Sequence, residues 1–213
     1  MSTKTTNIIL FILITLAFIA GMILYPQFPV QIASHWNAAG EVNGYMGKFW
    51  GIFLMPFFMV GLFILLLVLP KIDPLKNNIN SFRKYYNSLW IFIFAFFLYI
   101  FAITLAWNLG YRFNFTFLMI PAMAVLWFFL GFFLRKVKRN WFIGIRTPWT
   151  LSNDVVWEKT HRLGGWLFMI SGVITLLGLF FHGVIVFVLM IIPVLITTTV
   201  TIIYSYVEYR KLK

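Results

Sequence analysis

The sequence predicts an all-α membrane protein with six transmembrane helices and both termini in the cytoplasm (N-in/C-in). Three observations carry that prediction. Of 213 residues, 62% are hydrophobic and only 10% charged, against roughly 25% charged in an ordinary globular domain, so the chain lacks the polar side chains to cover a soluble surface. Six apolar stretches, 8–25, 50–70, 88–108, 114–134, 164–181 and 184–206, contain no Asp, Glu, Lys or Arg and come close to the ~20 residues needed to cross ~30 Å of hydrocarbon. The basic residues, finally, fall almost entirely in alternate connections.

The first stretch follows Lys4 and runs on to Tyr25 and Pro26 without a small-residue cleavage site, so it reads as a retained span rather than a signal peptide. Pro56, Pro121 and Pro193 sit inside spans, where neighbouring helices can re-satisfy the freed carbonyls. Trp50, Trp90, Trp107, Trp141 and Trp166 fall near span ends, the headgroup level that amphipathic rings favour. Gly61, Gly131, Gly172 and Gly178 permit close helix approach, but none belongs to a strict small-xxx-small repeat.

Lys4 precedes span one. Lys71, Lys76, Arg83 and Lys84 lie between spans two and three, Arg135 to Arg162 between four and five, and Arg210, Lys211 and Lys213 after six. These segments share one side and hold fifteen of the seventeen basic residues; Lys48 and Arg112 remain for the other. Lys and Arg are retained in the cytoplasm during insertion, which sets the orientation. The net charge of +12 therefore reads as topology and attraction to anionic lipid rather than as direct nucleic-acid binding. The cluster Arg135-Lys136-Val137-Lys138-Arg139 abuts a span end, as a stop-transfer anchor or a site for anionic lipid or a partner.

Absence of cysteine removes disulfides, thiolate metal sites and a cysteine nucleophile. His35, His161 and His182 are scattered over both sides, and His35 with Glu41 is too few ligands for a metal. No catalytic residue, metal or cofactor is expected. All five acids lie outside the predicted hydrocarbon, which argues against a proton-coupled pump.

Two hydrophilic segments are longer than spacers. In the outer one, 26–48, Pro26 and Pro29 favour an extended start, Val30 to Ser34 alternates loosely, and Asn43-Gly44 signals a turn. His35-Trp36-Asn37 with Gly40 forms an aromatic and polar cluster, either an interfacial cap or a contact surface for an extracellular ligand. In the inner one, 140–162, Pro148 predicts extended chain over 145–150. Ser152 or Asn153 caps a helix from about Asp154. That helix aligns Asp154, Glu158 and Arg162, with a Glu158–Arg162 pair, and stacks Trp157 near His161. It is expected to lie in the inner interface before turning into span five. Arg146, beside Gly144 and the Thr-Pro-Trp turn, is placed to stack on Trp149, to pair with Asp154 or Glu158, or to bind an anionic lipid or peptide carboxylate.

The inner run Ile143-Gly144-Ile145-Arg146-Thr147-Pro148-Trp149-Thr150-Leu151-Ser152, followed by Val156-Trp157 and His161-Arg162, resembles the SdpI family of bacterial membrane proteins, which includes immunity proteins against the sporulation-delaying peptide toxin. The outer Pro29-Val30-Gln31-Ile32 with His35-Trp36-Asn37 and Gly40 resembles the small domain of unknown function that precedes the family region in many members. The resemblance divides the chain into 1–70, two spans with the segment 26–48, and 71–213, four spans with the motif 140–162. It implies a multi-pass protein of the bacterial plasma membrane that protects its cell from a membrane-active peptide toxin. It also implies capture of a small cytoplasmic repressor once toxin is present. Binding is then expected at Gly144, Arg146, Thr147, Pro148, Trp149, Trp157 and Arg162 inside, and at Pro29, His35, Trp36, Asn37 and Gly40 outside. A transporter or exporter of small peptides or lipids is the alternative.

Overall fold

The computed structural model describes residues 1–212; Lys213, one of the basic residues counted above, lies outside them. Helix α1 (Thr3–Leu24) ends in a 3-10 turn, Tyr25–Gln27, and leads into strands β1 (Gln31–Trp36) and β2 (Val42–Gly47). Then follow α2 (Lys48–Ile72), the short α3 (Lys76–Ser81), α4 (Arg83–Asn108) and α5 (Phe115–Leu134). After a helix-free stretch come α6 (Pro148–Ser152), α7 (Asp154–Leu176) with a 3-10 extension Leu177–Phe180, and α8 (Val184–Arg210). The six expected spans are all present. Between 17% and 33% of each span's apolar window is buried, so most of this apolar surface faces outward, where only lipid can cover it. The protein is a multi-pass membrane protein.

Side chains start the helices where the sequence offers them. Ser2 Oγ accepts from Thr5 N at 3.1 Å, Asn114 Oδ1 from Phe117 N at 2.9 Å, and Asn153 Oδ1 from Val155 N at 2.8 Å, each satisfying a first-turn donor with no intrahelical partner. Pro56, Pro70, Pro121 and Pro193 are all carried inside continuous helices.

The helices form two groups of three. One comprises α1, α2 and α4, the other α5, α7 and α8, and α4 packs on α5 between them. In the second group small residues set the approach. A Cβ on Gly131 would stand 2.5 Å from Gly165 O, and one on Gly172 would stand 2.6 Å from Ala124 O. Ala124 and Gly131 on α5 thus meet Gly172 and Gly165 on the antiparallel α7, each pair seven residues apart. The spacing is seven rather than four, which is why no small-xxx-small repeat is visible. Gly61 meets nothing within 4 Å and Gly178 makes ordinary contact with Ile120. Helix α8 docks through a buried polar stripe of Thr197, Thr201, Ser205 and Glu208. Ser171 and Thr197 share a hydrogen bond of 3.1 Å, and Lys159 Nζ reaches Glu208 Oε2 at 2.7 Å. Such contacts drive association where lipid removes the hydrophobic incentive.

Several local expectations are corrected. Pro26 lies in the 3-10 turn, and extended chain begins at Phe28. The outer segment is a complete antiparallel hairpin, with Asn43 and Gly44 inside β2 rather than at its turn. The reversal falls at 37–41, where Asn37 Oδ1 accepts from Ala39 N (2.9 Å) and Glu41 N (3.0 Å) and Gly40 takes φ +83°. Gly44 is instead opposite His35, at an irregularity in the ladder. In the inner segment extended chain stops at Thr147, because Pro148 opens α6 at the helix position where a missing N–H costs nothing. The helix from Asp154 does not lie apart in the interface and turn; it runs unbroken into span five. Asp154 pairs with Arg139 at 2.7 Å, and no Glu158–Arg162 pair forms among the described residues.

Gly165→Leu should force α5 and α7 apart and cost about 2 kcal/mol or more, read as a lowered melting temperature in detergent; Gly61→Leu should leave it unchanged.

Candidate functional site

At the hairpin end, amide and aromatic side chains of α4 and α5 fasten the strands to the bundle. Asn108 Nδ2 donates to Ala33 O at 3.0 Å while its Oδ1 accepts from Ala33 N at 2.8 Å. Thr116 Oγ1 donates to Asn37 O at 3.1 Å, and Asn114 Nδ2 to Ala39 O at 3.3 Å. The Trp36 ring lies flat on Phe115, centroids 3.9 Å apart and 7° between planes, with Trp107 edge-on at 5.7 Å. Gly40 passes so close to Asn114 that a Cβ would collide with its amide.

Below this roof the two three-helix groups part. The gap is a cavity of about 900 Å3, walled by α2 (Leu54, Phe58), α4 (Phe97, Phe101), α5 (Phe115, Met119) and α8 (Phe187, Met190). Its rim is polar: Ser34, His35, Asn37, Thr104 and Thr116. Leu54, Phe58 and Phe187 are each about half exposed, so the cavity opens on the lipid-facing surface. Flexible Met side chains and aromatic faces make a lining that adapts to an apolar guest. The Trp36 indole N–H is shielded and without an acceptor among the described residues. Of the outer residues named from sequence, His35, Trp36 and Asn37 border this cavity. Pro29 is exposed ahead of β1, and Gly40 shapes the turn.

At the opposite end, which carries the termini, the helix-free chain is held from within. Asp73 Oδ1 accepts from Leu75 N at 2.6 Å and Oδ2 from Trp141 N at 2.9 Å. Asn140, fully buried, donates to Lys138 O and Ile143 O and accepts from Phe142 N and Ile143 N. Gly144 (φ +116°) crosses directly over His161, where a Cβ would meet Nε2 at 2.5 Å. That nitrogen accepts from Ile145 N at 2.9 Å while Nδ1 donates to Trp157 O at 2.8 Å. Trp157 stacks on His161 at 3.9 Å and donates from Nε1 to Val137 O at 3.1 Å. Thr147 and Thr150 form a reciprocal capping box, and Thr147 Oγ1 meets Ser205 Oγ at 3.0 Å, locking α6 to α8.

The seven inner residues named from sequence are therefore not one surface. Gly144, Thr147 and Trp157 belong to the packed interior, and Trp149 lies against Tyr206 at 5.0 Å. Arg146 is exposed and donates to Trp141 O at 2.9 Å; among the described residues it neither stacks on Trp149 nor pairs with an acid. Pro148 is exposed at the start of α6. Arg162, with Lys138, Arg139, Asp154 and Glu158, borders a polar groove of about 560 Å3. In the basic cluster, Arg135 sits 4.2 Å over Trp166 and Arg139 holds Asp154 and the Leu151 carbonyl. Sequence reasoning passed over Asn108, Asn114, Asp73 and Asn140, whose signal is a lone amide or carboxylate at a span end.

Residues 136–205 match the SdpI/YfhL protein family, and residues 12–60 match a domain of unknown function, DUF1648. The immunity protein SdpI of Bacillus subtilis (strain 168) is 28% identical over 207 residues, covering 97% of both chains. No solved structure matches.

Asn108→Leu strands the Ala33 N–H and C=O; at about 1 kcal/mol per lost hydrogen bond, amide hydrogen exchange over β1 should accelerate roughly tenfold or more.

Proposed function

From the premise that the chain carries an SdpI/YfhL region at 136–205 behind a DUF1648 region at 12–60, we propose that it is a membrane immunity protein, protecting its cell from a membrane-active peptide toxin. The geometry that supports this reading best is the 900 Å3 cavity between the two helix groups. A toxin that attacks the bilayer brings apolar side chains to the membrane, and the cavity opens there. Its walls take an aromatic or aliphatic segment. Its rim of Ser34, His35, Asn37, Thr104 and Thr116 supplies hydrogen bonds to a peptide backbone. Protection on this view is binding: toxin held in the cavity does not assemble in the lipid. The protein has no catalytic part in it.

Orientation follows from the basic residues: the hairpin faces outward, the termini inward. The outer candidates Pro29, His35, Trp36, Asn37 and Gly40 then stand where toxin arrives, two of them as shapers of the hairpin. Gly144, Thr147 and Trp157 act through the framework of the inner end, while Arg146, Pro148, Trp149 and Arg162 offer its surface. The polar groove beside Arg162 is the place for a small cytoplasmic repressor, whose capture would report occupancy of the cavity. Lys136 and Lys138 lie over or near the leaflet, and with Arg135 and Arg139 they give a general attraction to anionic lipid.

The test is membrane potential, read by dye in a sensitive bacterium exposed to the sporulation-delaying toxin. Potential should survive only where the protein is made. Met119→Trp, which fills the cavity, should accumulate normally and lose at least tenfold in protection; Ile8→Trp, on the lipid-facing side of α1, should lose neither. Full protection by a normally accumulating Met119→Trp variant would remove the cavity as the toxin site and leave the immunity reading standing. Collapse of the potential in both wild-type conditions would remove that reading itself.

A further inference from the structure

A second concavity, of about 730 Å3, lies at the opposite end of the bundle, between the start of α1, the end of α2, α3 and the start of α4. Lys71, Lys76 and Arg83 border it, and no Asp or Glu does. The three ion pairs among the described residues, Arg139–Asp154, Lys159–Glu208 and Lys211–Glu208, are all elsewhere. Arg83 gives one N–H to Asn80 Oδ1 at 2.7 Å and rests 5.3 Å from the Tyr86 ring. Its remaining donors, and both lysines, have no anionic partner among the described residues. Leu66, Leu67 and Pro70 form an apolar wall beside them. Asn7 borders the same space, and its Oδ1 is shielded without a donor.

These features define a ligand. Three cations converging in a concavity without a counter-charge concentrate positive potential there, and a phosphate diester neutralises it. The apolar wall suits the glycerol backbone and the first methylenes of acyl chains. The cavity sits at the ends of the spans, the level of lipid headgroups. A phosphate diester at neutral pH has no proton to give Asn7 Oδ1, whereas a headgroup hydroxyl does. We infer that this cavity is a discrete binding site for an anionic glycerophospholipid with a hydroxyl-bearing headgroup, of the phosphatidylglycerol type. It differs from the Arg135–Arg139 cluster in kind. There Arg139 is paired with Asp154 and Arg135 lies over Trp166, while here none of the three cations has an anionic partner among the described residues.

The experiment is native mass spectrometry of the full chain in detergent, titrated with dioleoylphosphatidylglycerol or dioleoylphosphatidylcholine. Wild type should retain one phosphatidylglycerol in preference to phosphatidylcholine. Each basic residue near an anionic headgroup contributes roughly fivefold, so Lys71→Gln/Lys76→Gln/Arg83→Gln should bind on the order of a hundredfold more weakly. Lys48→Gln/Arg112→Gln, at the hairpin end, should bind like wild type. Should the triple variant fail to fold, Lys76→Gln alone, at an exposed position, should still weaken binding roughly fivefold. Asn7→Ala should erase the preference for phosphatidylglycerol over phosphatidylmethanol, a diester with no headgroup hydroxyl, while leaving phosphatidylmethanol bound. Retention of phosphatidylglycerol by the folded basic variants, or equal affinity for phosphatidylcholine, would overturn the inference. Displacement by glycerol phosphate at equal concentration would overturn it too, reassigning the cavity to a soluble phosphate.

Discussion

No water reaches the hydrocarbon core, so each backbone N–H and C=O at that depth must find its partner within the chain. Six continuous helices meet this demand along their lengths and leave it open at their ends. The rest of the structure answers the question of how those ends are closed. At one end the chain between α1 and α2 pairs with itself as a hairpin, and Asn108, Asn114 and Thr116 hold carbonyls that face the bundle. At the other, Asp73 and Asn140 gather the amides of the helix-free chain before α6. Each of these side chains satisfies one or more backbone groups of the connecting chain, up to four in the case of Asn140.

The same constraint separates framework from function in the inner motif. A neutral histidine that accepts from one backbone N–H and donates to one backbone carbonyl, a glycine crossing over it, and a threonine box tied to Ser205 are devices for holding irregular chain against helices. Their job is geometric, and it fixes where α7 and α8 enter the bundle. The surface that remains for partners is narrower than the motif: Arg146, Pro148, Trp149 in part, and the groove beside Arg162.

Helix association without a hydrophobic drive needs close approach or polar glue, and the two groups use both unequally. Helices α5, α7 and α8 have glycine contacts and a Thr/Ser/Glu stripe. Helices α1, α2 and α4 rely on large side chains such as Leu10, Met59, Tyr86 and Phe94, all fully buried. Between the groups at the hairpin end Tyr99 Oη donates to Leu118 O at 2.9 Å, and beside that contact the cavity remains. The result is a hairpin roof fastened to the helices over an apolar gap that opens on the lipid-facing surface.

Hydropathy and charge were enough, in the sequence alone, for the span number, the positions of the helices and the distribution of basic residues, because each depends only on local composition against a bilayer of known thickness. A cap at Ser152 or Asn153, which the structure resolves to Asn153, the stacking of Trp157 near His161 and the prominence of the two long segments were legible for the same reason: they rest on near neighbours in the chain. What lay between distant residues was not. That Asn43-Gly44 sits in a strand was decided by its pairing with His35. The unbroken run of α7 goes with Gly165 and Gly172 seating the helix closely on α5. The cavity, assembled from four helices and the hairpin, has no signature in any one segment. Local chemistry is written along the chain, whereas a gap exists only once the pieces on either side of it have been placed.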